Sequence, residues 1–240
     1  MLSEVLAPKQ IKEDAESLQI WGKDWTNGFV VAPSAIVFPE SIEQLQDLVA
    51  HARSNHVKLV PSGGRTGLSG GAVASQGEVV VSFDRMNQIL DFSAKDRIVT
   101  CQPGLITANL QAFAAEQGLF YPVDFASSGS SQIGGNVATN AGGIKVIRYG
   151  LTRDWVAGMK VVTGSGAFLD CNAGLIKNAT GYDFRHLMIG SEGTLGLIGE
   201  LDMYLAPQPQ PQVVMVVGVP DVTDLLDILN GFNDRLTLSA

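Results

Sequence analysis

A glycine-rich segment, PSGGRTGLSGG from Pro61 to Gly71, constrains the fold of this chain more than any other feature. It follows Val57 to Val60, a short apolar run that predicts a buried strand. Five glycines within nine residues allow successive backbone N–H groups to point into one concavity, which suits phosphate oxygens. The glycine spacing matches neither a Walker A loop nor a Rossmann GxGxxG fingerprint. A flexible surface loop is the alternative interpretation of this first glycine segment.

Two more glycine clusters follow. The second glycine segment, Ser130 to Gly143, has no charged residue in its sequence SSQIGGNVATNAGG. Its small polar side chains suit a flat ring with polar edges, and they suit close packing between elements equally well. The third glycine segment, Gly190 to Ile198, has the sequence GSEGTLGLI and by itself predicts only a tight turn into a strand.

Between these segments the sequence alternates helix and strand patterns. Ser41 predicts a helix start, since Gln44 stands at capping-box spacing and apolar residues recur on one face through Ala52. A second helix is predicted over Thr107 to Gln117, with Gly118 as its stop. Further strands are predicted at Val79–Phe83, Gln88–Phe92, Arg97–Cys101, Val156–Thr163, Ala167–Asn172 and Leu195–Leu205. The predicted class is therefore α+β.

The sequence near Pro207 indicates a domain boundary. Pro207, Pro209 and Pro211 alternate with glutamines, which neither a helix nor a sheet accommodates well. A strand is then predicted at Val213–Val219 and an amphipathic helix at Asp221–Phe232. One strand and one helix bury little alone, so this βα unit is expected to open a further domain that the chain does not complete.

Composition excludes several classes of function. The net charge of −8 argues against a nucleic-acid surface, which needs a basic face. His51, His56 and His186 form no metal-ligand pattern, and all three are interpreted as surface or structural residues. Cys101 and Cys171 are expected to be buried free thiols. Acidic residues near the N-terminus and the lack of a long apolar run predict a cytoplasmic protein without a transmembrane segment.

Taken in order, the three motifs resemble a known family. PSGGRTGLSGG, FYPVDFASSGSSQIGGNVATNAGG and GSEGTLG are together similar to the FAD-binding domain of the vanillyl-alcohol oxidase type, within it most to the D-lactate, glycolate and D-2-hydroxyglutarate dehydrogenase group. The match runs from about Trp21 to Leu205. It implies a two-subdomain FAD-binding domain at residues 31–206, preceded by an N-terminal helical segment at 1–30. Residues 207–240 would then be a linker and the start of a truncated substrate domain.

The resemblance also assigns cofactor-binding residues. In such proteins the first segment wraps the FAD pyrophosphate, the second lines the ribityl chain and isoalloxazine, and the third lies near the adenosine. In the first segment these residues are Pro61, Ser62, Gly63, Gly64, Arg65, Thr66, Gly67 and Leu68. In and before the second they are Pro122, Asp124, Ser131, Ile133, Gly134, Gly135, Asn136, Thr139 and Gly143. In the third they are Glu192, Gly193, Leu195 and Ile198.

One departure from the family bears on how FAD is held. Covalent members carry a histidine within a GGH sequence in the first segment, and this chain has Arg65 there. An arginine is not a flavin attachment point, so non-covalent FAD is expected. With phosphates nearby, Arg65 is expected to make a charge-assisted contact with them.

The implied reaction is oxidation of a small 2-hydroxy acid to the 2-oxo acid, with hydride transfer to flavin N5. In the family the catalytic histidines, the carboxylate-binding arginines and any metal ligands come from the C-terminal half, so no catalytic or metal-binding residue is predicted here. The missing half or a partner subunit would supply them, and the electron acceptor is not indicated. The alternatives are a non-catalytic FAD-binding subunit of a multi-subunit oxidase, or another flavoenzyme of the fold, such as an alkyl-dihydroxyacetone-phosphate synthase or a sugar oxidase.

Overall fold

The computed structural model describes residues 1–172 and 174–239 and has the predicted α+β architecture. Two larger sheets and one two-stranded ladder form its frame. The helices are α1 (Ala15–Trp21), α2 (Ile42–Ser54), α3 (Thr107–Glu116), α4 (Ile133–Ala138), α5 (Val146–Tyr149), α6 (Phe184–Met188) and α7 (Leu225–Asn233). Short 3-10 turns lie at Leu2–Glu4, Pro8–Gln10, Thr152–Trp155 and Val222–Asp224.

The first sheet is four-stranded and mostly parallel. Its strands are β1 (Ile11–Lys12), β2 (Ala35–Val37), β3 (Leu59–Ser62) and β4 (Val79–Ser82), arranged in the order β1-β2-β4-β3. β2 and β3 both pair in parallel with β4, while β1 is antiparallel to β2. α2 covers one face with Leu45 and Leu48, and α1 contributes Trp21 to the opposite face. Because both faces are covered, the valines of β4 are buried throughout.

The second sheet is five-stranded and antiparallel. Its strands are β5 (Ile89–Ser93), β6 (Ile98–Cys101), β8 (Val156–Thr163), β9 (Phe168–Cys171) and β10 (Gly196–Tyr204), in the order β5-β6-β10-β8-β9. α3 and α4 pack on it through Leu110, Ile133 and Val137. The ladder of β7 (Leu119–Phe120) and β11 (Ala206–Pro207) completes the strands.

Helix α2 joins the two sheets. Val162 of β8 and Leu197 of β10 lie in the same apolar cluster as Leu45 and Leu48. A side chain at Gly199 of β10 would meet Ile42, since an added Cβ would lie 2.7 Å from Ile42 Cγ1. The first turn of α2 therefore sits directly against the second sheet, and this contact brings the end of β3 close to the start of β10.

Most predicted elements are confirmed, with bounds shifted by one or two residues. Ser41 caps α2 by accepting a hydrogen bond from the Gln44 backbone N–H at 3.3 Å. The Gln44 side chain accepts from the Glu40 N–H instead of that of Ser41, so the capping box is incomplete. Gly118 follows α3 with φ +69°, as expected for a helix stop. Cys101 and Cys171 are buried and free, as predicted.

The predicted strand at Val213–Val219 is wrong. No strand is formed there, and Val213 and Val214 are 94% and 95% exposed. An apolar run becomes a strand only where a neighbouring strand accepts its N–H and C=O groups, and the described residues offer none to this segment. The helix expected after it is present as α7, beginning at Leu225 after a 3-10 turn.

The interpretation of His51 as a surface residue is also wrong. Its side chain is only 9% exposed, and Nδ1 lies 3.8 Å from Glu4 Oε2. The N-terminal turn folds over the last part of α2, which a helical periodicity alone does not reveal. His56 and His186 are exposed, and His186 Nε2 lies 3.7 Å from an Asp183 carboxylate oxygen.

Candidate cofactor site

The three glycine segments converge on one cavity of about 450 Å³, a size typical of small-molecule sites. The cavity opens at the carboxyl end of β3, where the first segment leaves the parallel sheet. α4, formed within the second segment, makes another wall. The third segment closes a further side and leads directly into β10. Stretches separated by about 70 and 130 positions in the sequence thus share one site.

The first segment presents its backbone as a binding surface. Within the described part of the chain, no backbone N–H from Gly63 to Ser69 donates a hydrogen bond to another protein atom. The carbonyl of Gly67 accepts from the Trp25 N–H at 3.0 Å, and the Gly70 N–H donates to the Asp24 carboxylate at 2.9 Å. The N-terminal segment therefore anchors the far side of the loop while its N–H groups stay available for an anionic ligand.

Arg65 lies at the start of this loop with φ +59°, a left-handed conformation unusual for a side-chain-bearing residue. Its Nη1 donates to the Gly63 carbonyl at 3.1 Å and lies 3.3 Å from both carboxylate oxygens of Asp84. Its guanidinium also lies over the Trp21 ring, 5.8 Å from the centroid. Asp84 thus partly neutralises the charge beside the loop, and the expected phosphate contact of Arg65 stays a prediction.

Two buried side-chain oxygens in the cavity wall have no hydrogen-bond partner among the described residues. They are Ser62 Oγ and Gln132 Oε1, on residues that are fully buried and 6% exposed respectively. Leaving a buried polar group unsatisfied costs about 1–3 kcal/mol, so such groups are rare in native proteins. A ligand donor would satisfy the Gln132 carbonyl oxygen, and a ligand donor or acceptor would satisfy the Ser62 hydroxyl. FAD carries hydroxyl and N–H donors as well as phosphate oxygens. The residues present therefore fit FAD.

Glycine is required where the segments meet. A Cβ at Gly64 would lie 2.1 Å from the Ser130 carbonyl oxygen, so the first and second segments touch backbone to backbone. Gly193 has φ +77°, and a Cβ there would lie 2.3 Å from Pro61 Cγ. The third segment is tied to α4 as well, since the Glu192 N–H donates to the Ala138 carbonyl at 2.9 Å. The repeated glycines therefore let the three walls approach each other.

Most of the cofactor-binding residues predicted from sequence line this cavity. They are Pro61, Ser62, Gly63, Gly64, Arg65, Thr66, Gly67, Leu68, Gly134, Gly135, Asn136, Thr139, Glu192, Gly193 and Ile198. Their convergence supports the assignment of these residues to one site.

The other predicted residues lie outside the lining. Ser131 is buried and its hydroxyl bonds to that of Thr107 at 2.8 Å, while Ile133 belongs to the core of the second sheet. Asp124 pairs with Lys145 at 3.4 Å, and its backbone packs against Gly143. Pro122 is buried and Leu195 is 42% exposed. In this structure Ser131 and Ile133 support the wall from behind, and their assignment as ligand contacts stays a prediction.

Sequence reasoning missed several lining residues. Asp24 lies some forty positions before the loop that it anchors, and no local pattern signals that contact. Phe83, Pro103 and Phe125 supply apolar surface from three other connections. Gln132 stands inside the second segment, directly before α4, and its amide gave a local signal that sequence reasoning did not use.

The lining contains few reactive side chains. Its charged side chains within the described residues are Asp24, Arg65 and Glu192, and it contains no histidine, cysteine, tyrosine or lysine. Burial raises the pKa of the Cys101 thiol well above its usual range, and that thiol lies in β6 outside the lining. The described lining therefore offers a cofactor mainly backbone, hydroxyl and amide groups.

The described residues contain neither a metal cluster nor a membrane-spanning helix. No cluster of three or more His, Cys, Asp or Glu side chains is arranged to hold a metal ion. None of the described helices has the length and apolar character needed to cross a bilayer.

This chain is similar to proteins named as dehydrogenases of 2-hydroxy acids and, in structure, to an alkyldihydroxyacetonephosphate synthase. A protein named D-2-hydroxyglutarate dehydrogenase from Stutzerimonas stutzeri (strain A1501) is 61% identical over the whole chain, which covers 52% of that protein. A D-lactate dehydrogenase from Anaerostipes hadrus is 37% identical over 92% of this chain and 46% of its own length. The chain spans about half the length of the curated relatives it matches.

A solved structure of an alkyldihydroxyacetonephosphate synthase superposes with a TM-score of 0.78 at 27% identity, over 88% of this chain and 40% of that one. The family model described as the FAD binding domain matches residues 33–172, more than half of the chain. The matched range includes the first two glycine segments and most of both sheets. The chain belongs to the FAD binding domain family, and FAD is its cofactor.

Proposed function

We propose that this chain is the FAD-binding part of a flavin-dependent dehydrogenase that oxidises a D-2-hydroxy acid to the corresponding 2-oxo acid. The observation that carries the proposal is the convergence of three glycine segments on one cavity, whose wall holds two buried oxygens without a partner among the described residues, Ser62 Oγ and Gln132 Oε1. The similar proteins named D-2-hydroxyglutarate dehydrogenase and D-lactate dehydrogenase supply the substrate class.

Within this proposal, the parts of the cavity have separate tasks. The free N–H groups from Gly63 to Ser69 bind the pyrophosphate, with Arg65 beside it. Gln132 Oε1 accepts a hydrogen bond from a cofactor hydroxyl or N–H group, and the Ser62 hydroxyl exchanges a hydrogen bond with the cofactor. Leu197 and other apolar lining residues exclude water from the ring system. FAD, when bound, supplies the hydride acceptor for the reaction.

We propose that the groups that bind and activate the substrate lie mainly outside this chain. Among the described residues, the cavity lining contains no histidine to take the hydroxyl proton, and Arg65, which is paired with Asp84, is its sole cation that could hold a carboxylate. We propose that both groups come from the region that the relatives have in addition to the part matched here. D-2-hydroxyglutarate is the preferred candidate, since the 61% identical relative is named for it.

Retention of FAD tests the cofactor site directly. The chain mixed with FAD and desalted is expected to keep a flavin absorbance band, and acid precipitation is expected to release that band into the supernatant because attachment is non-covalent. Flavin that stays in the precipitate would contradict non-covalent binding. A chain that folds and retains no flavin would contradict the proposed site.

Gly135→Ala locates the cofactor within the cavity. An added methyl group at Gly135 meets no protein atom within 4 Å, and Ala favours a helix over Gly by about 1 kcal/mol, so folding is preserved. If FAD fills this space, the overpacking weakens FAD binding about tenfold or more. Gly231→Ala is the matched control, since Gly231 is also helical and equally open but lies outside the lining. Equal FAD affinity in both variants would place the cofactor elsewhere.

The substrate class is tested in a longer protein. Fusing this chain to the remaining half of the Stutzerimonas stutzeri relative is expected to give reduction of an artificial dye with D-2-hydroxyglutarate and not with its L isomer. D-lactate serves as the competing substrate. A fusion that binds FAD yet reduces dye with neither D acid would contradict the substrate class while leaving the cofactor site intact.

We further propose the domain limits 1–30, 31–206 and 207–240, and a cytoplasmic location. The exposed valines after Pro211 support the last boundary, because they make no packed contact with the FAD-binding part. Limited proteolysis is expected to cut first between residues 207 and 220. Cell fractionation is expected to place the protein in the cytoplasmic fraction, and recovery with membranes would contradict this.

A further inference from the structure

Asp84 joins three parts of the cavity wall. It lies directly after β4, and its carboxylate accepts from Trp21 Nε1 at 2.7 Å and from Gln132 Nε2 at 2.7 Å. Arg65 Nη1 lies 3.3 Å from both of its oxygens. α1, the first glycine segment and the entrance to α4 therefore meet at one carboxylate.

The contact with Asp84 fixes which way the Gln132 amide faces. An ionised carboxylate only accepts hydrogen bonds, so the NH₂ group of Gln132 must point toward Asp84. The carbonyl Oε1 then faces the other way, where it is buried without a partner among the described residues. Gln132 lines the cavity and is 6% exposed, so water does not reach this oxygen freely.

We propose that Asp84 is a positioning residue that holds Gln132 as a hydrogen-bond acceptor in the FAD site, and that Gln132 thereby recognises an N–H or O–H group of the cofactor. The inference rests on the proposed cofactor site and adds a chemical requirement to it. A ligand group facing Gln132 Oε1 must be a hydrogen-bond donor, because a second acceptor there would leave two buried oxygens facing each other with no hydrogen between them.

A second feature makes Asp84 rigid enough for this task. Its backbone N–H donates to Ser82 Oγ at 3.3 Å, while Asn87 Nδ2 donates to its carbonyl at 2.9 Å. The backbone and the side chain are therefore both held, and the amide of Gln132 cannot turn over without losing its bond to the carboxylate.

The test is a fluorescence titration of the chain with FAD. Gln132→Met keeps the size of the side chain and removes the acceptor, so FAD affinity is expected to fall about tenfold, the value of one buried hydrogen bond. Gln44→Met is the control, because it also removes a bonded amide but lies in α2 outside the lining. An unchanged FAD dissociation constant for Gln132→Met would overturn the proposal.

Asp84→Asn tests the positioning role. An asparagine can donate as well as accept, so the Gln132 amide is free to turn and FAD affinity is expected to fall about tenfold. Both changes remove the same acceptor, so their losses of FAD affinity should not multiply. The double variant Asp84→Asn/Gln132→Met is expected to lose about as much affinity as one single variant, rather than the product of the two losses. Fully multiplying effects would show that Asp84 does not act through Gln132.

Trp21→Phe separates positioning from stability. It removes another donor to the same carboxylate and leaves Gln132 in place. Its melting temperature is expected to fall while its FAD affinity stays within about twofold of the original. A tenfold loss of FAD affinity in Trp21→Phe would indicate a merely structural role for Asp84. This variant and Gln132→Met retain Asp84, so the comparison holds if Asp84→Asn fails to fold.

Failure of this proposal and failure of the cofactor site give different results. If the original chain folds without binding FAD, the site itself is wrong. If it binds FAD and Gln132→Met binds equally well, the site stands and only the role of Gln132 and Asp84 is wrong.

Discussion

Two valine-rich runs in this chain differ in structure and in burial. Val79, Val80 and Val81 form β4, with exposed fractions of 3%, 0% and 0%. Val213, Val214 and Val216 form no strand and are 94%, 95% and 92% exposed. β4 lies between β2 and β3 and is covered by helices, whereas the second run has no adjacent strand in the described residues. A run of apolar β-branched residues can therefore form a strand, but it does so only where a neighbouring strand pairs with it.

The largest expected effect is on stability. Val80→Asp buries an unpaired carboxylate in a fully closed position and is expected to cost more than about 4 kcal/mol, enough to unfold many domains. Val214→Asp, at an exposed position, is expected to change the free energy of unfolding by less than about 0.5 kcal/mol. Urea denaturation measures both. Equal destabilisation would mean that the second run is packed in solution.

Thiol labelling compares the buried and the exposed parts of the chain by their chemical reactivity. Burial raises the pKa of the Cys101 thiol above its usual value and also that of Cys171, so neither forms thiolate readily between about pH 7 and 9. Both are expected to resist a thiol reagent until the chain unfolds. A cysteine introduced by Val214→Cys is expected to react at once, and faster as the pH rises toward its ordinary pKa.

The same label can sharpen the comparison in a longer protein. In the fusion with the second half of the Stutzerimonas stutzeri relative, we expect the Val214→Cys thiol to become protected, since added strands can then cover the run. Rapid labelling in a fusion that binds FAD would contradict the proposal that residues 207–240 begin a further domain.

The smallest expected effect concerns helix caps. Ser41→Ala removes the bond to the Gln44 N–H at the start of α2 and is expected to cost about 1 kcal/mol. Asp224→Ala is the matched change at α7, where the side chain makes no capping bond, and a shift below about 0.5 kcal/mol is expected. Thermal unfolding compares the two, and an equal loss would show that α7 contributes as much to the folded core as α2 does.

Local signals in the sequence predicted much of the fold. The cap at Ser41, the stop at Gly118 and the Gly164–Gly166 turn between β8 and β9 each depend on residues within a few positions, and all three are present. α4 was missed, since its sequence IGGNVA has two glycines and no amphipathic pattern. Its first turn is held by a distant part of the chain, since the Gly134 N–H donates to the Pro103 carbonyl at 2.7 Å.

In the candidate site, too, the sequence indicated local features and did not reveal contacts between distant residues. Clustered glycines and polar small residues marked three segments, and the resemblance gave their order and cofactor. The contacts of Asp84 with Trp21 and Gln132, 63 and 48 positions away in sequence, leave no local trace. The same is true of Asp24, which lies 46 positions from the Gly70 N–H that it binds.

By itself, the sequence determined the backbone properties of this protein: where the chain can bend sharply, where walls can approach without side chains, and which runs are apolar enough to be buried. The tertiary structure alone decided which apolar runs found partners and which polar atoms were left facing the cavity. The physical reason is that propensity and turn chemistry act over a few residues, whereas strand pairing and hydrogen-bond satisfaction depend on groups brought together from distant parts of the chain.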